Sequence, residues 1–501
     1  MKALQYEEKL LWEKERSDTP GVDLPKPKFS PLRTGFQARE AIGLPQLSEP
    51  EVIRHFVRMS TWNYSIDHGL FPLGSCTMKH NPRLNEKLAR LAGFSQIHPL
   101  QPQESVQGAL ALMYELRSIL SDLTGLPGVA LSPAAGAHGE LAGLMTIRCA
   151  HVAKGEGEKR RVMLIPDSAH GTNPATAAMC GYQVRVIPTT ETGRLTLAAF
   201  EAALGDGSDV AGMMVTNPNT CGLFETEICE ISDLLHKAGG YFYCDGANFN
   251  ALVGRIKPVD FGVDVLHLNL HKTFSTPHGG GGPGSGPICV SGALEPFLPA
   301  PIVVKEGANF RLLDCSDRPA TCGRLKGFHG QFGMHVRALA YILSHGIDGL
   351  RAVSDKAVLN ANYILAKLRN DYFVPFNGYC MHECLLTDRL QKENDVQTID
   401  IAKALIEYSF HPMTVYFPAI RPGTMLIEPT ETETKQSLDR FIEAMKAIAL
   451  AAKDPEKRQA LHEMPLSSPR RRIDEVKAAK FPVLRYWARL PNPNVFKNSI
   501  N

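Results

Sequence analysis

The chain reads as an α/β protein, a large mostly parallel sheet covered on both faces by helices, with a smaller α+β domain after it. Three observations predict this. Six apolar runs of strand length, at 162–165, 184–187, 212–215, 241–244, 265–270 and 288–290, fall inside residues 104–300, and strands apolar on both faces belong in a sheet covered on both faces. Helical segments stand between several of them. After about residue 300 long amphipathic helices alternate with short strands, the texture of an α+β domain.

The elements follow in order. Residues 1–103 form an arm and extension, where Pro20, Pro25, Pro27, Pro31 and Pro45 allow only short helices near 7–15 and 49–59. Residues 104–300 form the large domain. Within it Thr196 can cap a helix stopped by Gly205, and Ser232 one stopped by Gly239. Residues 301–501 hold strands at 413–417 and 424–427. They also hold a helix over 432–453, where Leu438, Phe441, Ile442, Met445 and Ile448 recur at helical spacing. The stretch Arg470 to Lys480 is locally basic, and runs of this kind are mostly solvated faces.

Composition sets bounds on function. With 501 residues, 44% hydrophobic and 21% charged, the chain has ample material for a core. A formal net charge of +2 exerts no general pull on nucleic acid or membrane. Eleven cysteines without a CxxC pair suit a reducing cytosol better than a disulfide framework. The N-terminal stretch lacks an apolar signal core and no run of about 20 apolar residues occurs, so the expectation is a soluble, cytoplasmic protein.

The chemistry concentrates at the carboxyl ends of the predicted strands, where open α/β sheets place ligands. The run at 265–270 delivers His271 and Lys272, and then the glycines Gly279, Gly280, Gly281 and Gly282, which cannot pack a core. Taken alone, Lys272 suits a solvated loop as well as a cofactor amine. Ser132 to Glu140 brings Ala135, Gly136, Ala137 and His138 to a helix start, where free N–H groups can meet a phosphate. His170 follows the strand at 162–165, where its ring could stack on a flat cofactor. Thr216 follows 212–215, and Asp245 and Asn248 follow 241–244. An acid closing an apolar strand needs a cationic partner, and a pyridinium nitrogen is one. Phosphate cup, ring stacker, ring-nitrogen acid and aldehyde amine are together the needs of pyridoxal 5'-phosphate. The glycine run lacks the GK[ST] ending of a nucleotide phosphate loop and opens no helix, which disfavours an ATPase or a dinucleotide site.

The motifs S-P-A-A-G-A-H-G-E, D-S-A-H-G-T-N-P-A, T-N-P-N-T-C-G-L-F-E, D-G-A-N-F-N-A and H-L-N-L-H-K-T-F-S-T-P-H-G-G-G-G-P-G resemble the C-terminal half of the glycine cleavage system P-protein, as do G-L-F-P-L-G-S-C-T-M-K-H-N-P and I-E-P-T-E-T-E. The length is similar to that of the separate second subunit of bacteria with a split P-protein. One departure is His138, where family members often carry Gln. The resemblance implies a fold type I, aspartate-aminotransferase-like architecture and a glycine dehydrogenase (aminomethyl-transferring) activity, with pyridoxal 5'-phosphate as cofactor. It implies that Lys272 meets the cofactor aldehyde, Asp245 faces the ring nitrogen, and His170 stacks on the ring. Ala135, Gly136 and Ala137 would serve the phosphate, with Asn248 and Thr216 as further cofactor contacts. Ser75, Lys79, His80 and His271 would bind the glycine carboxylate or shape the entry. The implied partners are a first subunit in an α2β2 assembly and the lipoylated H-protein. Rivals are another fold type I enzyme, such as an amino-acid decarboxylase or cysteine desulfurase, and a non-catalytic scaffold subunit. A buried acid facing a lysine argues against the scaffold.

Overall fold

The computed structural model describes residues 8–14, 21, 25, 28, 45–277, 284–482 and 484. The expected glycines Gly279 to Gly282 lie outside the described residues, as do Pro20, Pro27 and Pro31. The chain divides into two units, Met1–Ser65 with Glu463–Asn501, and Ile66–His462.

The first unit contains a helix, Glu49–Ser60, begun by a capping box in which the Ser48 N–H donates to Glu51 Oε2 at 3.0 Å. Glu8 anchors it, accepting from Arg58 Nε at 2.5 Å and lying 2.9 Å from His55 Nδ1. The basic stretch ends in a short exposed helix, Glu475–Lys480.

The second unit is built on a seven-stranded sheet. Its strands are β1 (Gly128–Ala130), β2 (Val162–Pro166), β3 (Gln183–Ile187), β4 (Val210–Thr216), β5 (Tyr241–Gly246), β6 (Val265–Leu268) and β7 (Ile288–Val290), in the spatial order β1-β7-β6-β5-β4-β2-β3. Strands β2 to β6 are parallel, and β7 runs antiparallel between β6 and β1. Alternate residues feed two cores. Met213, Val215, Phe242, Cys244 and Leu266 join one side with Leu116 and Leu120 of helix Gln107–Thr124 and Phe200 of helix Leu197–Leu204. Ala211, Met214, Tyr243 and Val265 join the other with Ala142, Leu144 and Ile147 of helix Gly136–Ala153. Burial on both faces is why β2, β4, β5 and β6 are largely apolar, whereas the edge strand β3 is mostly exposed and carries Gln183 and Arg185.

Thr196 caps helix Leu197–Leu204 through its hydroxyl, which accepts from the Ala199 N–H at 3.3 Å, and Gly205 closes it at φ 62°. The helix expected to start at Ser232 instead runs Ile228–Lys237. Its apolar stripe already begins at Ile228, and the Ser232 hydroxyl donates to the Gly262 carbonyl at 3.2 Å from inside it. Strand β6 stops at Leu268, short of the expected residue 270. Asn269 instead turns the chain, accepting at its carbonyl from the Lys272 N–H at 3.0 Å.

Beyond the sheet come a hairpin, β8 (Ile302–Glu306) with β9 (Asn309–Leu313), a long helix Phe332–Leu368 kinked at Gly346, and a three-stranded sheet. That sheet has the order β10-β12-β11, from β10 (Cys384–Thr387), β11 (Thr414–Val415) and β12 (Thr424–Ile427). The helix Lys435–Lys453 starts three residues later than its apolar spacing predicts. Thr434 is the cap, accepting from the Ser437 N–H at 3.2 Å, and Glu431 is diverted into an ion pair.

Candidate active site

The strand register assembles the site. Thr216 at the end of β4 pairs with Asp245 of β5, which pairs with His267 of β6. Residues paired across parallel strands point to one face, so a hydroxyl, a carboxylate and an imidazole stand in one row at the carboxyl edge. All three are buried. Asp245 Oδ1 accepts from the Ala247 N–H at 2.9 Å and lies 3.4 Å from His267 Nε2, and Oδ2 accepts from Asn173 Nδ2 at 3.3 Å. Burial alone would raise its pKa. His267, the Ala247 N–H, Lys272 and Asn173 outweigh burial and hold the carboxyl below its ordinary range, so it is ionised at neutral pH. Behind it His267 Nε2 has two oxygen neighbours, Asp245 Oδ1 and Asn269 Oδ1 at 2.9 Å, and so carries the proton. Nδ1 then accepts from the Tyr243 hydroxyl at 2.5 Å. The nearby Glu140 carboxyl is raised by burial and by Asp245, while it accepts from the hydroxyls of Thr172 at 2.8 Å and Thr176 at 3.1 Å.

Lys272 follows the Asn269 turn and its amine donates to the Ser75 carbonyl at 2.7 Å. A cavity of about 390 Å³ opens here, lined by Ser75, Gly136, Ala137, His170, Thr216, Asp245, Asn248, His271 and Lys272 among others. The helix packs tightly onto β6 at this point. A Cβ on Gly136 would meet Asn269 Nδ2 at 2.5 Å, and one on Gly139 would meet the Gly286 carbonyl at 2.7 Å. Two buried atoms of lining residues, Thr216 Oγ1 and Asn248 Oδ1, have no hydrogen-bond partner within the protein. Buried polar groups left open toward a cavity fit a polar ligand. The orphaned atoms, a helix start, a half-buried lysine and an ionised acid together fit pyridoxal 5'-phosphate.

Most of the sequence-predicted residues therefore meet in one place. Ala135 does not line the cavity; it caps the helix, its carbonyl accepting from the Gly139 N–H at 2.8 Å. His138 accepts at Nδ1 from the Ala134 N–H at 3.1 Å, a bond within the helix entry. Lys79 and His80 do not line this cavity. Lys79 is buried, with Nζ donating to Glu431 Oε1 at 2.7 Å, the Thr273 carbonyl at 2.8 Å, Asn250 Oδ1 at 2.9 Å and the Tyr341 hydroxyl at 3.2 Å. No donor is left for a substrate. The His80 side chain is half-exposed, and its backbone is engaged by Thr432 and Ser275. A larger cavity of about 660 Å³ among Glu191, Asp388, Arg389 and Arg421 brings none of the predicted residues together.

Residues 353–467 match the family model described as glycine dehydrogenase, C-terminal domain, and residues 148–281 match aminotransferase class-V. A probable glycine dehydrogenase (decarboxylating) subunit 2 of Caulobacter vibrioides is 56% identical over 493 residues, covering 97% of this chain and 93% of that relative. The chain belongs to the glycine dehydrogenase (decarboxylating) subunit 2 family. A second member, from Caldanaerobacter subterraneus, is 50% identical, covering 92% of this chain and 94% of the relative. Among solved structures, a glycine decarboxylase (P-protein) of the glycine cleavage system, in inhibitor-bound form, matches with a TM-score of 0.68 at 21% identity, over 86% of this chain and 92% of that one. A cysteine desulfurase from Thermococcus onnurineus matches with a TM-score of 0.59 at 14% identity, over 77% of this chain and 95% of that one. These likenesses establish for the subunit 2 family member the fold type I architecture that its sequence predicts.

Sequence reasoning missed Glu140, Tyr243 and His267. The last had a signal, a histidine inside the apolar run Val265-Leu266-His267-Leu268 two positions before Asn269. Glu140 sits in the quoted helix-start motif but points at threonines whose position only the fold supplies.

Proposed function

We propose that the chain acts as the cofactor-bearing subunit of a split glycine decarboxylase, releasing CO2 from glycine and passing the aminomethyl group to the lipoyl arm of an H-protein. The observation that carries this reading is the row Thr216, Asp245 and His267 facing Lys272 across one cavity. The cofactor is pyridoxal 5'-phosphate, which when bound supplies an aldehyde for an amine and a ring that takes up the electron pair left by the departing carboxyl.

Lys272 would hold the aldehyde and Asp245 the ring nitrogen. His170 would lie on a ring face, while the N–H groups of Gly136 and Ala137 would hold the phosphate, aided by the dipole of an 18-residue helix. Thr216 and Asn248 offer the open polar atoms described above. With its own carboxyl ionised, Asp245 would favour a proton at the ring nitrogen, and His267 with Tyr243 fixes the orientation of that carboxyl. Ser75 and His271 border the space left for the glycine carboxylate. Among the described residues Lys272 is the one amine lining the cavity, and it would take up and return a proton at Nζ.

We assign residues 104–300 to the cofactor-binding domain, 1–103 to an N-terminal arm and 301–501 to the C-terminal part. The partner is a first subunit, in an α2β2 assembly, and the compartment is the cytoplasm. Among the described residues no helix is long and apolar enough to cross a membrane. The test is exchange of bicarbonate carbon into the glycine carboxyl by the purified subunits. It should require the lipoylated H-protein and vanish in Lys272→Ala together with the visible absorbance of the purified chain. Exchange that survives this substitution would sink the assignment. A cysteine desulfurase is ruled in instead if cysteine, and not glycine, perturbs that absorbance.

A further inference from the structure

Three buried groups that the mechanism above leaves unused stand behind the turn 74–77. The turn is tied to β12 and β11: Leu73 bridges to Ile427 of β12, and the Thr414 hydroxyl of β11 donates to the Gly74 carbonyl at 2.8 Å. Ser75 and Thr77 hold φ values of 62° and 47°, a left-handed conformation that side-chain-bearing residues keep only when their surroundings impose it. Two carboxylates impose it here. The Ser75 N–H donates to Glu383 Oε2 at 2.7 Å and the Thr77 N–H donates to Glu428 Oε2 at 2.9 Å. In that conformation the Ser75 carbonyl receives the Lys272 amine.

Both carboxylates are fully buried, as is His382 beside them. Their second oxygens, Glu383 Oε1 and Glu428 Oε1, have no hydrogen-bond partner, and neither do the two ring nitrogens of His382, although His382 Nε2 lies 3.8 Å from Glu428 Oε1. One atom from each of the three residues lies within 4.8 Å of the others. Two carboxyls buried within 4.8 Å of each other without a donor escape facing each other as two charges if one of them carries a proton. His382 does not supply the charge, since burial and Lys272 push it down to about 3. The other charged or titratable groups facing the pair are Lys272, Glu431, already paired with Lys79, and the thiols of Cys76, Cys221, Cys380 and Cys384, all four raised by burial. Burial, with the Glu431 charge, pushes Glu428 up to about 7, and burial with the Glu428 charge pushes Glu383 well above the ordinary carboxylate range, which leaves a proton on the pair at neutral pH.

We propose that Glu383 and Glu428 share one proton and act as positioning residues, locking the turn 74–77 so that the Ser75 carbonyl is the resting place of the Lys272 amine whenever that amine is not bonded to the cofactor. The inference rests on the assignment of Lys272 above. A carbonyl suits this task because it accepts from the amine whether or not the amine is protonated, whereas a carboxylate at the same place would pin it as a cation. The shared proton keeps two like charges from being buried behind the turn. Its loss at higher pH sets two carboxylates against each other and releases the Ser75 and Thr77 N–H groups from their fixed acceptors.

Glu383→Gln separates this from a merely structural role. Its amide oxygen still accepts from Ser75, while its amide nitrogen donates to Glu428 as the shared proton does but cannot be lost. The experiment uses the assembled holoenzyme and follows the visible absorbance across pH, together with kcat and KM for glycine in bicarbonate exchange. Glu383→Ala should lower kcat about tenfold with the glycine KM changed by less than about twofold. Glu383→Gln should restore most of that kcat at neutral pH and abolish the alkaline change in the absorbance that the unsubstituted protein shows. If Glu383→Ala does not fold, Glu428→Gln supplies the same donor from the other side and should abolish the same alkaline change. An alkaline change identical in the unsubstituted protein and in both Gln variants overturns the pair. One equivalent of divalent metal in the purified complex, lost in Glu383→Gln, also overturns it, because the pair then holds an ion and not a proton. Absorbance that survives Lys272→Ala sinks the Lys272 assignment, whereas absorbance that needs Lys272 yet ignores Glu383→Gln sinks only the pair.

Discussion

Lys79→Met keeps most of a side chain's apolar stem and deletes a charge that the structure places in a dry network. The Lys79 and Glu431 side chains are 1% and 7% exposed and 2.7 Å apart. After the substitution Glu431 retains only Asn250 Nδ2 at 3.2 Å and the Tyr341 hydroxyl at 3.3 Å. Removing one partner of a buried pair costs about 3–5 kcal/mol, mainly for the charge left behind, whereas replacing both by apolar groups is often near neutral. Lys79→Met should therefore destabilise by about 3–5 kcal/mol, and Lys79→Met with Glu431→Leu should recover about half of that or more. Burial opposes the charge on Glu431, but Lys79 prevails and lowers its pKa; burial likewise opposes Lys79, but Glu431 and Tyr341 prevail and raise it. The Glu431 contribution is thus present above its ordinary value of 4.5 and lost as pH falls through its lowered value. The Lys79 contribution is present below 10.5 and lost as pH rises through its raised value. Urea unfolding at neutral pH, inside that window, measures the stability, and spectral titration measures glycine affinity of the folded protein. An unchanged urea midpoint with lost glycine affinity would refute the structural role and restore Lys79 to the substrate.

Three further outcomes are expected. Asp245→Asn should keep the Lys272-dependent absorbance but lower bicarbonate exchange by about a hundredfold or more, since the ring-nitrogen proton loses its counter-charge; equal loss of both would mean that Asp245 serves folding alone. Gly139→Ala forces a methyl against the Gly286 carbonyl at 2.7 Å and His267 Cβ at 3.0 Å, and should cost about 1–3 kcal/mol in urea unfolding; a neutral result would mean the helix slides freely on β6. His170 is exposed at the cavity, 5.7 Å from the Phe417 ring between centroids, so His170→Ala should weaken cofactor retention about tenfold while His170→Phe preserves it. Equilibrium dialysis reads that difference, and equal retention in both variants removes the stacking role.

What could be read from the sequence depended on whether a residue's partner was supplied by the sheet or by distant chain. Asp245, Thr216 and Lys272 were legible because parallel strands must present their carboxyl ends together, so residues just past apolar runs converge whatever the helices do. The fold class was legible for the same reason, though the short β1 and the β8–β9 hairpin carried too few apolar residues to mark themselves. The partner of Lys79 could not be read because a loop's composition gives no information about who pairs with its cation; Glu431 is 352 positions away. Glu383 and Glu428 were unreadable on the same grounds, since each meets the turn 74–77 from more than 300 positions on. The consequence is a division of labour that the sequence order hides. The sheet's carboxyl edge supplies the groups that would touch the cofactor, and late acidic residues hold the early loop in a conformation it could not keep alone. A substitution at Glu383, Glu428 or Glu431 should therefore act on the site without touching it, through the two left-handed residues at 75 and 77 and the buried amine at 79.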